Sequence, residues 1–141
     1  MIRQATIEDI PEIIRLEEKC WKSHLRASYE VIERRIHNFP QGQFLLVREE
    51  TIAGILFTQI VENIESLHNA SYSNLSDLHN NNGKFMQLIS IAVDIQLVPN
   101  GANILREQAK KFAASAENIQ KIVAAHNESG IPARMTPHSS N

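Results

Sequence analysis

Between Val93 and Leu105 the chain places Gln96-Leu-Val-Pro-Asn-Gly101 directly ahead of a helical pattern. A helix start carries backbone N–H groups without intrahelical partners and the positive end of the helix dipole, so such a turn can cradle a phosphate. Arg106, in the first turns, can add a guanidinium to that cradle, or it can pair with Glu107. On the first reading the turn binds a phosphorylated cofactor; on the second it is only a connection.

Thr58 and Gln59 stand side by side in a strand-like run, whose alternation points one of them toward a cleft and the other away. A hydroxyl at Thr58 can act as an oxyanion donor, or the residue can simply suit a strand. His79 sits just before Asn80-Asn-Asn-Gly83. Near neutral pH an imidazole can hold a carboxylate as a cation or give a proton to a carbanion; it can equally be a solvated loop residue. His68 is its nearest rival. The two have no cysteine or close carboxylate partners, so no metal site is expected. Cys20 has no partnered base and reads as a small apolar residue, and Trp21 beside it as a pocket wall or core packing. Glu62 and Glu65 can activate an attacking amine or merely solubilise a loop.

These residues need a scaffold, and the pattern supplies one. Residues 2–5 read as a strand. Thr6 and Asp9 resemble a capping box ahead of a helix over 7–22, with Ile10, Ile13, Ile14, Glu17 and Trp21 on one side. Ser28 opens a second helix through Val31, Ile32, Arg35 and Ile36 to about His37, ended by Pro40-Gln-Gly42. Strands at 44–47 and 51–61 form a hairpin around Glu49-Glu50. Residues 62–83 are polar, with Leu67, Leu75 and Leu78 but no sustained period, and a connection this long is usually functional or disordered. The run 85–93 is apolar on both faces and reads as a central strand. Ile104, Leu105, Ala109, Phe112 and Ala113 mark one helix face, and 119–125 reads as a last strand. After His126 the pattern is lost, so 126–141 reads as a loose tail. The order predicts an α/β (α+β) fold, a mixed central sheet flanked by helices.

The chain has 141 residues, 43% hydrophobic and 21% charged, which is one globular domain with a real core. A net charge of −2 shows no basic excess, so nucleic acid is not an expected partner. No apolar run is long enough to span a bilayer, and the N-terminus lacks a signal peptide's apolar core, so no membrane association is expected. A single cysteine cannot form an internal disulfide, which fits a reducing compartment and a cytoplasmic location.

The order of elements and these residues together resemble the GCN5-related N-acetyltransferase superfamily. Ile2-Arg-Gln-Ala-Thr-Ile-Glu-Asp-Ile-Pro-Glu-Ile looks like its first strand and helix, and Ala53-Gly-Ile-Leu-Phe57 like the strand after its hairpin turn. Ile91-Ala-Val93 and Gln96 to Leu105 look like its strand and pyrophosphate loop. The resemblance covers roughly 1–125, read as an acyl-CoA-binding domain. Leu16-Glu-Glu-Lys-Cys-Trp21, Arg34-Arg35, Pro40-Gln-Gly-Gln-Phe44, Phe57-Thr-Gln59, Leu78-His79, Gly83 and Gln87-Leu88 are similar to the acetyltransferase-like domains of polyketide synthase loading modules.

The resemblance implies an acyltransferase using acetyl-CoA or malonyl-CoA, with no metal, and decarboxylation or loading of the thioester onto an acyl carrier protein. It assigns chemistry to Thr58 and His79, and coenzyme A binding to Ala92, Val93, Gln96, Asn100, Gly101, Ala102 and Arg106. A conventional N-acetyltransferase acting on an amine or protein N-terminus, and a non-catalytic binding module, are the alternatives. Neither Tyr29 nor Tyr72 follows the motif helix, where many relatives place a tyrosine acid for the leaving thiolate; this weighs against ordinary amine acetylation. Pro99 replaces the loop's middle glycine and removes one N–H donor. The fold is expected to lack part of the family's C-terminal strands. That would leave a sheet edge open to another chain, including a second copy in a homodimer.

Overall fold

Period-two alternation and two long apolar runs assemble a five-stranded sheet in the order β1-β2-β3-β4-β5. The computed structural model describes residues 1–68 and 72–124. The strands are β1 Ile2–Gln4, β2 Phe44–Arg48, β3 Thr51–Val61, β4 Phe85–Val93 and β5 Lys121–Ala124. The helices are α1 Ile10–Cys20, α2 Tyr29–Asn38, α3 Glu65–His68 and α4 Gly101–Ser115. Neighbouring strands run antiparallel up to β4, and β5 is parallel to β4. The mixed sheet flanked by helices is the predicted one. The expected tail, 126–141, lies outside the described residues.

The apolar runs account for the core. Ile55, Leu56 and Phe57 of β3 are fully buried, as Ile10, Ile13 and Ile32 of the first two helices are. Leu105 and Ala109 of α4 are buried too. Faces follow from alternation. An added Cβ at Gly54 would lie 3.2 Å from Leu105, so Gly54 looks toward α4. Phe57, three residues on, looks the other way, and the Arg35 guanidinium of α2 lies over its ring at 4.7 Å.

Local chemistry sets the ends of elements. The Asp9 carboxylate accepts from the Thr6 N–H at 2.8 Å and the Thr6 hydroxyl at 3.0 Å, and Arg3 clamps it from outside. The Arg3 guanidinium holds the Asp9 carboxyl at about 2, well below its ordinary value. The predicted helix 7–22 is divided: a 3₁₀ turn Ile7–Asp9 precedes α1, and Trp21 leaves the helix in extended conformation. Ser28 caps α2 as expected, accepting from the Val31 N–H.

The 62–83 segment departs from its reading as an irregular loop. It contains α3 and a 3₁₀ turn Tyr72–Leu78, and Leu67 and Leu75 are buried. Both elements are too short to show a period, which is why the pattern missed them.

The β2–β3 hairpin closes on two residues, Glu49 and Glu50, with φ of 53° and 65°. Two positive φ values are those of a type I′ turn, which favours Asn-Gly and strains two glutamates. Replacing Glu49-Glu50 by Asn-Gly is expected to stabilise the fold by about 1 kcal/mol. A thermal melt should then rise by about 4 °C.

Candidate active site

Two adjustments in β4 open the sheet. Phe57 pairs with Ser90 but Thr58 pairs with Leu88, so Ile89 is an extra residue and β4 bulges there. On its other side β4 pairs with β5 only over Phe85–Leu88. Among the described residues, Ile89 to Val93 therefore have no strand beside them on that edge, and a groove of about 490 Å³ runs past Ile91, Ala92 and Val93.

The groove joins residues distant in sequence. Lys19, Cys20 and Trp21 at the end of α1 form one wall, and Ala102 and Arg106 of α4 line its far end together with Gln96. The predicted cofactor residues Ala92, Val93, Gln96, Ala102 and Arg106 thus share one surface. Asn100 and Gly101 are placed one step behind it, at the start of α4. An added Cβ at Gly101 would lie 2.6 Å from Val93 and 3.1 Å from Leu46, so only glycine lets α4 sit this close to the sheet.

The loop spends its N–H groups on itself. The N–H of Gln96 donates to the Asp94 carboxylate at 3.1 Å, and those of Leu97 and Val98 donate to the Asp94 carbonyl at 3.1 and 3.0 Å. Gly101 donates to Val98 at 3.0 Å, and Pro99 has no N–H. The anion-facing donors are then those at the start of α4, ahead of the helix's own bonding. Lys19 bonds the Asp94 carboxylate at 2.6 Å, and that bond holds the Asp94 carboxyl below its ordinary value. Arg106 reaches Asn103 at 3.1 Å rather than Glu107, which pairs with Lys110. Burial pushes the Cys20 thiol up, and its Sγ faces the Val93 carbonyl at 3.5 Å, which fits an inert apolar residue.

Thr58 and His79 line a second, smaller cavity with Arg35, Asn38, Phe39, Gln59 and Ser76. It has room for about one water molecule. The Thr58 hydroxyl is buried and donates to the Gly42 carbonyl at 2.6 Å. His79 packs its ring on Phe39 with centroids 4.7 Å apart. The Ile60 N–H donates to His79 Nδ1 at 3.1 Å, which puts the imidazole proton on Nε2, 2.6 Å from the Asn81 side-chain oxygen. Burial lowers the His79 pKa, and the Asn81 bond acts against that. The imidazole is thus a neutral Nε2–H donor rather than the cation the sequence allowed. Glu62 and Glu65 are exposed and line neither cavity. Tyr29 is exposed on α2 and also lines neither.

Three features escaped the sequence reading. Gln43, fully buried, donates to the Thr58 carbonyl at 2.8 Å and the Phe39 carbonyl at 3.0 Å, and accepts from the Thr58 N–H at 3.0 Å. β2 begins only at Phe44, so the Gln43 amide stands in for the strand that Thr58 lacks. Gln59 donates to its cross-strand partner Gln87 at 2.7 Å, both buried. Arg35 is 3% exposed; its position on the apolar stripe of α2 was the available signal. Among the described residues no group of three or more His, Cys, Asp or Glu is gathered to hold a metal, and no helix is long and apolar enough to cross a membrane.

Solved structures share this architecture. The loading GNATL domain of CurA from Lyngbya majuscula is 31% identical, matching 94% of this chain and 70% of that one with a TM-score of 0.80. The GphF GNAT-like decarboxylase, solved in complex with isobutyryl-CoA, is 30% identical, matching 88% of this chain with a TM-score of 0.82. This chain spans 64% of the GphF chain's length. Ard1 from Thermoplasma volcanium, at 12% identity and a TM-score of 0.61, shares the fold. No protein-family model and no curated protein matches. The chain belongs to the GCN5-related N-acetyltransferase superfamily. Its structural likeness extends to a GNAT-like decarboxylase and a loading GNATL domain.

Proposed function

We propose that the chain is an acyl-coenzyme A enzyme that decarboxylates a malonyl thioester or loads the acyl group onto an acyl carrier protein, whose thiol would form the new thioester as coenzyme A leaves as its free thiol. The observation that carries this reading is the shared buried cavity of Thr58 and His79, in a chain about 30% identical to a GNAT-like decarboxylase and to a loading domain. The open edge of β4 and the start of α4 provide the groove for the coenzyme A arm. Ala92, Val93, Gln96 and Ala102 flank it, and Arg106 faces its phosphates. Asn100 and Gly101 set the helix end behind them.

The reaction needs no strong base. The bond from the carboxylate to the α-carbon breaks, carbon dioxide leaves, and the electron pair passes into an enolate at the thioester oxygen. Two neutral donors can hold that oxygen: the Thr58 hydroxyl, turned from the Gly42 carbonyl, and the His79 Nε2–H, turned from the Asn81 side-chain oxygen. The α-carbon then takes a proton from Nε2, which solvent replaces. Amine acetylation finds less support, because Glu62 and Glu65 stand outside both cavities.

Isothermal titration with acetyl-CoA tests the binding half. Micromolar affinity is expected, with Ala102→Glu weakening it at least about tenfold by placing a carboxylate against the phosphates. The same substitution suits a helix N-terminus, so the fold should be preserved. The inward-turned loop N–H groups favour a second reading, a non-catalytic module, and absence of coenzyme A ester binding would select it.

A further inference from the structure

The groove past β4 already holds an anion, and it is the protein's own. Asp94 follows β4 and turns its carboxylate back into the loop. There the Lys19 ammonium donates to Oδ2 at 2.6 Å and the Gln96 N–H to Oδ1 at 3.1 Å. An ammonium and a backbone N–H are also what a phosphate oxygen takes from a protein. All three residues line the groove, together with Arg106 of α4. Among the described residues that line it, Lys19 and Arg106 are the cations and Asp94 is the anion. Arg106 bonds a neutral oxygen, that of the Asn103 amide, at 3.1 Å, so its charge is left for a ligand. The charge of Lys19 is spent on Asp94.

The two ends of this pair differ in freedom. The Asp94 side chain is 10% exposed, and its backbone N–H is tied to the Ala53 carbonyl at 2.8 Å. Lys19 stands in the last turn of α1 with its side chain 58% exposed, and its flexible stem lets the ammonium move while the helix stays in place. A diphosphate entering the groove brings two negative charges against the single one of Asp94, so the ammonium is drawn toward it. We propose that Lys19 is a further coenzyme A-binding residue, held by Asp94 in the free protein and handed to the phosphates when the ester enters, with Asp94 as the internal competitor for its charge. This rests on the binding half of the proposed function, that the groove takes a coenzyme A ester. It also gives the inward-turned loop a purpose: the empty cradle is satisfied by the chain's own carboxylate.

The test is isothermal titration of the full chain with acetyl-CoA and with S-acetylpantetheine, which keeps the arm and lacks every phosphate. Asp94→Asn keeps an oxygen for the Gln96 N–H and loses the charge, so it should bind acetyl-CoA about fivefold tighter than wild type does. Adding Lys19→Met to Asp94→Asn should then weaken acetyl-CoA binding about tenfold and leave S-acetylpantetheine unchanged. The control is Lys22→Met in the same background, an exposed cation that does not line the groove. It should shift acetyl-CoA affinity by no more than about twofold, which separates a contact from net charge. Asp94→Asn protein that binds acetyl-CoA no tighter than wild type overturns the proposal. So does a Lys19→Met effect no larger than that of Lys22→Met, or one of equal size on S-acetylpantetheine. Wild type that binds acetyl-CoA without these effects refutes this inference alone. Failure of both wild type and Asp94→Asn to bind acetyl-CoA refutes the proposed function with it.

Discussion

His79→Ala is expected to lower malonyl-CoA turnover by about 10²–10³-fold, the loss typical of one oxyanion donor. Thr58→Val should do the same while preserving shape. Each change also removes a bond inside the protein. His79→Ala strands the Ile60 N–H, and Thr58→Val strands the Gly42 carbonyl. Stability losses of about 1–3 kcal/mol accompany them, so activity should be measured on protein shown to be folded, with acetyl-CoA binding as the control. The pH profile separates the two roles. His79 is held neutral, with its pKa below the ordinary histidine value mainly through burial. Its contribution to stability is therefore complete above that ordinary value and is lost as pH falls toward the lowered one. Protonation would also put a hydrogen on Nδ1 against the Ile60 N–H. An acid limb of activity is expected in wild type, displaced below the usual histidine range, and its absence in a residual-activity His79→Gln protein would assign it to His79.

Gln43→Leu should produce the largest loss of stability. It deprives the Thr58 N–H, the Thr58 carbonyl and the Phe39 carbonyl of their partner in a fully buried place. Stranding the two Thr58 backbone groups, while the Phe39 carbonyl keeps the Gly42 N–H at 3.1 Å, is expected to cost about 3–5 kcal/mol. A thermal melt should fall by more than about 10 °C. Gln43→Glu is the informative companion: its carboxylate can still accept from the Thr58 N–H but cannot donate to either carbonyl, so it should not rescue the fold. A melt unchanged by Gln43→Leu would mean that the Thr58 backbone does not depend on this amide.

Much of the scaffold was legible because it rests on long periodic runs. β4 is apolar on both faces apart from Gln87 and Ser90, and its central place followed from that. The α2 cap at Ser28 and the clasp of Thr6 and Asp9 were legible because their hydrogen bonds span three residues. The groove was legible in part: Ala92, Val93, Gln96, Ala102 and Arg106 meet there because one strand, one loop and one helix are consecutive in the chain. Its other wall, Lys19 to Trp21, joins through a bond between Lys19 and Asp94, 75 residues apart, and nothing local announces it. The β4 bulge at Ile89 was hidden for a similar reason, since an extra residue shows only against the partner strand. Gln43 fell between the stop of the second helix and the next strand, and Arg35 looked like a helix residue; only their burial reveals their work. The loop also differs in kind from the sequence reading. Pro99 was expected to remove one donor, but Asp94 takes up three more, at Gln96, Leu97 and Val98.

The central claim is most directly tested by incubating the full chain with malonyl-CoA and following its conversion to acetyl-CoA and carbon dioxide. The account predicts saturable turnover by wild type that His79→Ala and Thr58→Val reduce by about two orders of magnitude or more. Wild-type protein that binds acetyl-CoA yet leaves malonyl-CoA intact, or variants that turn it over at the wild-type rate, would contradict it.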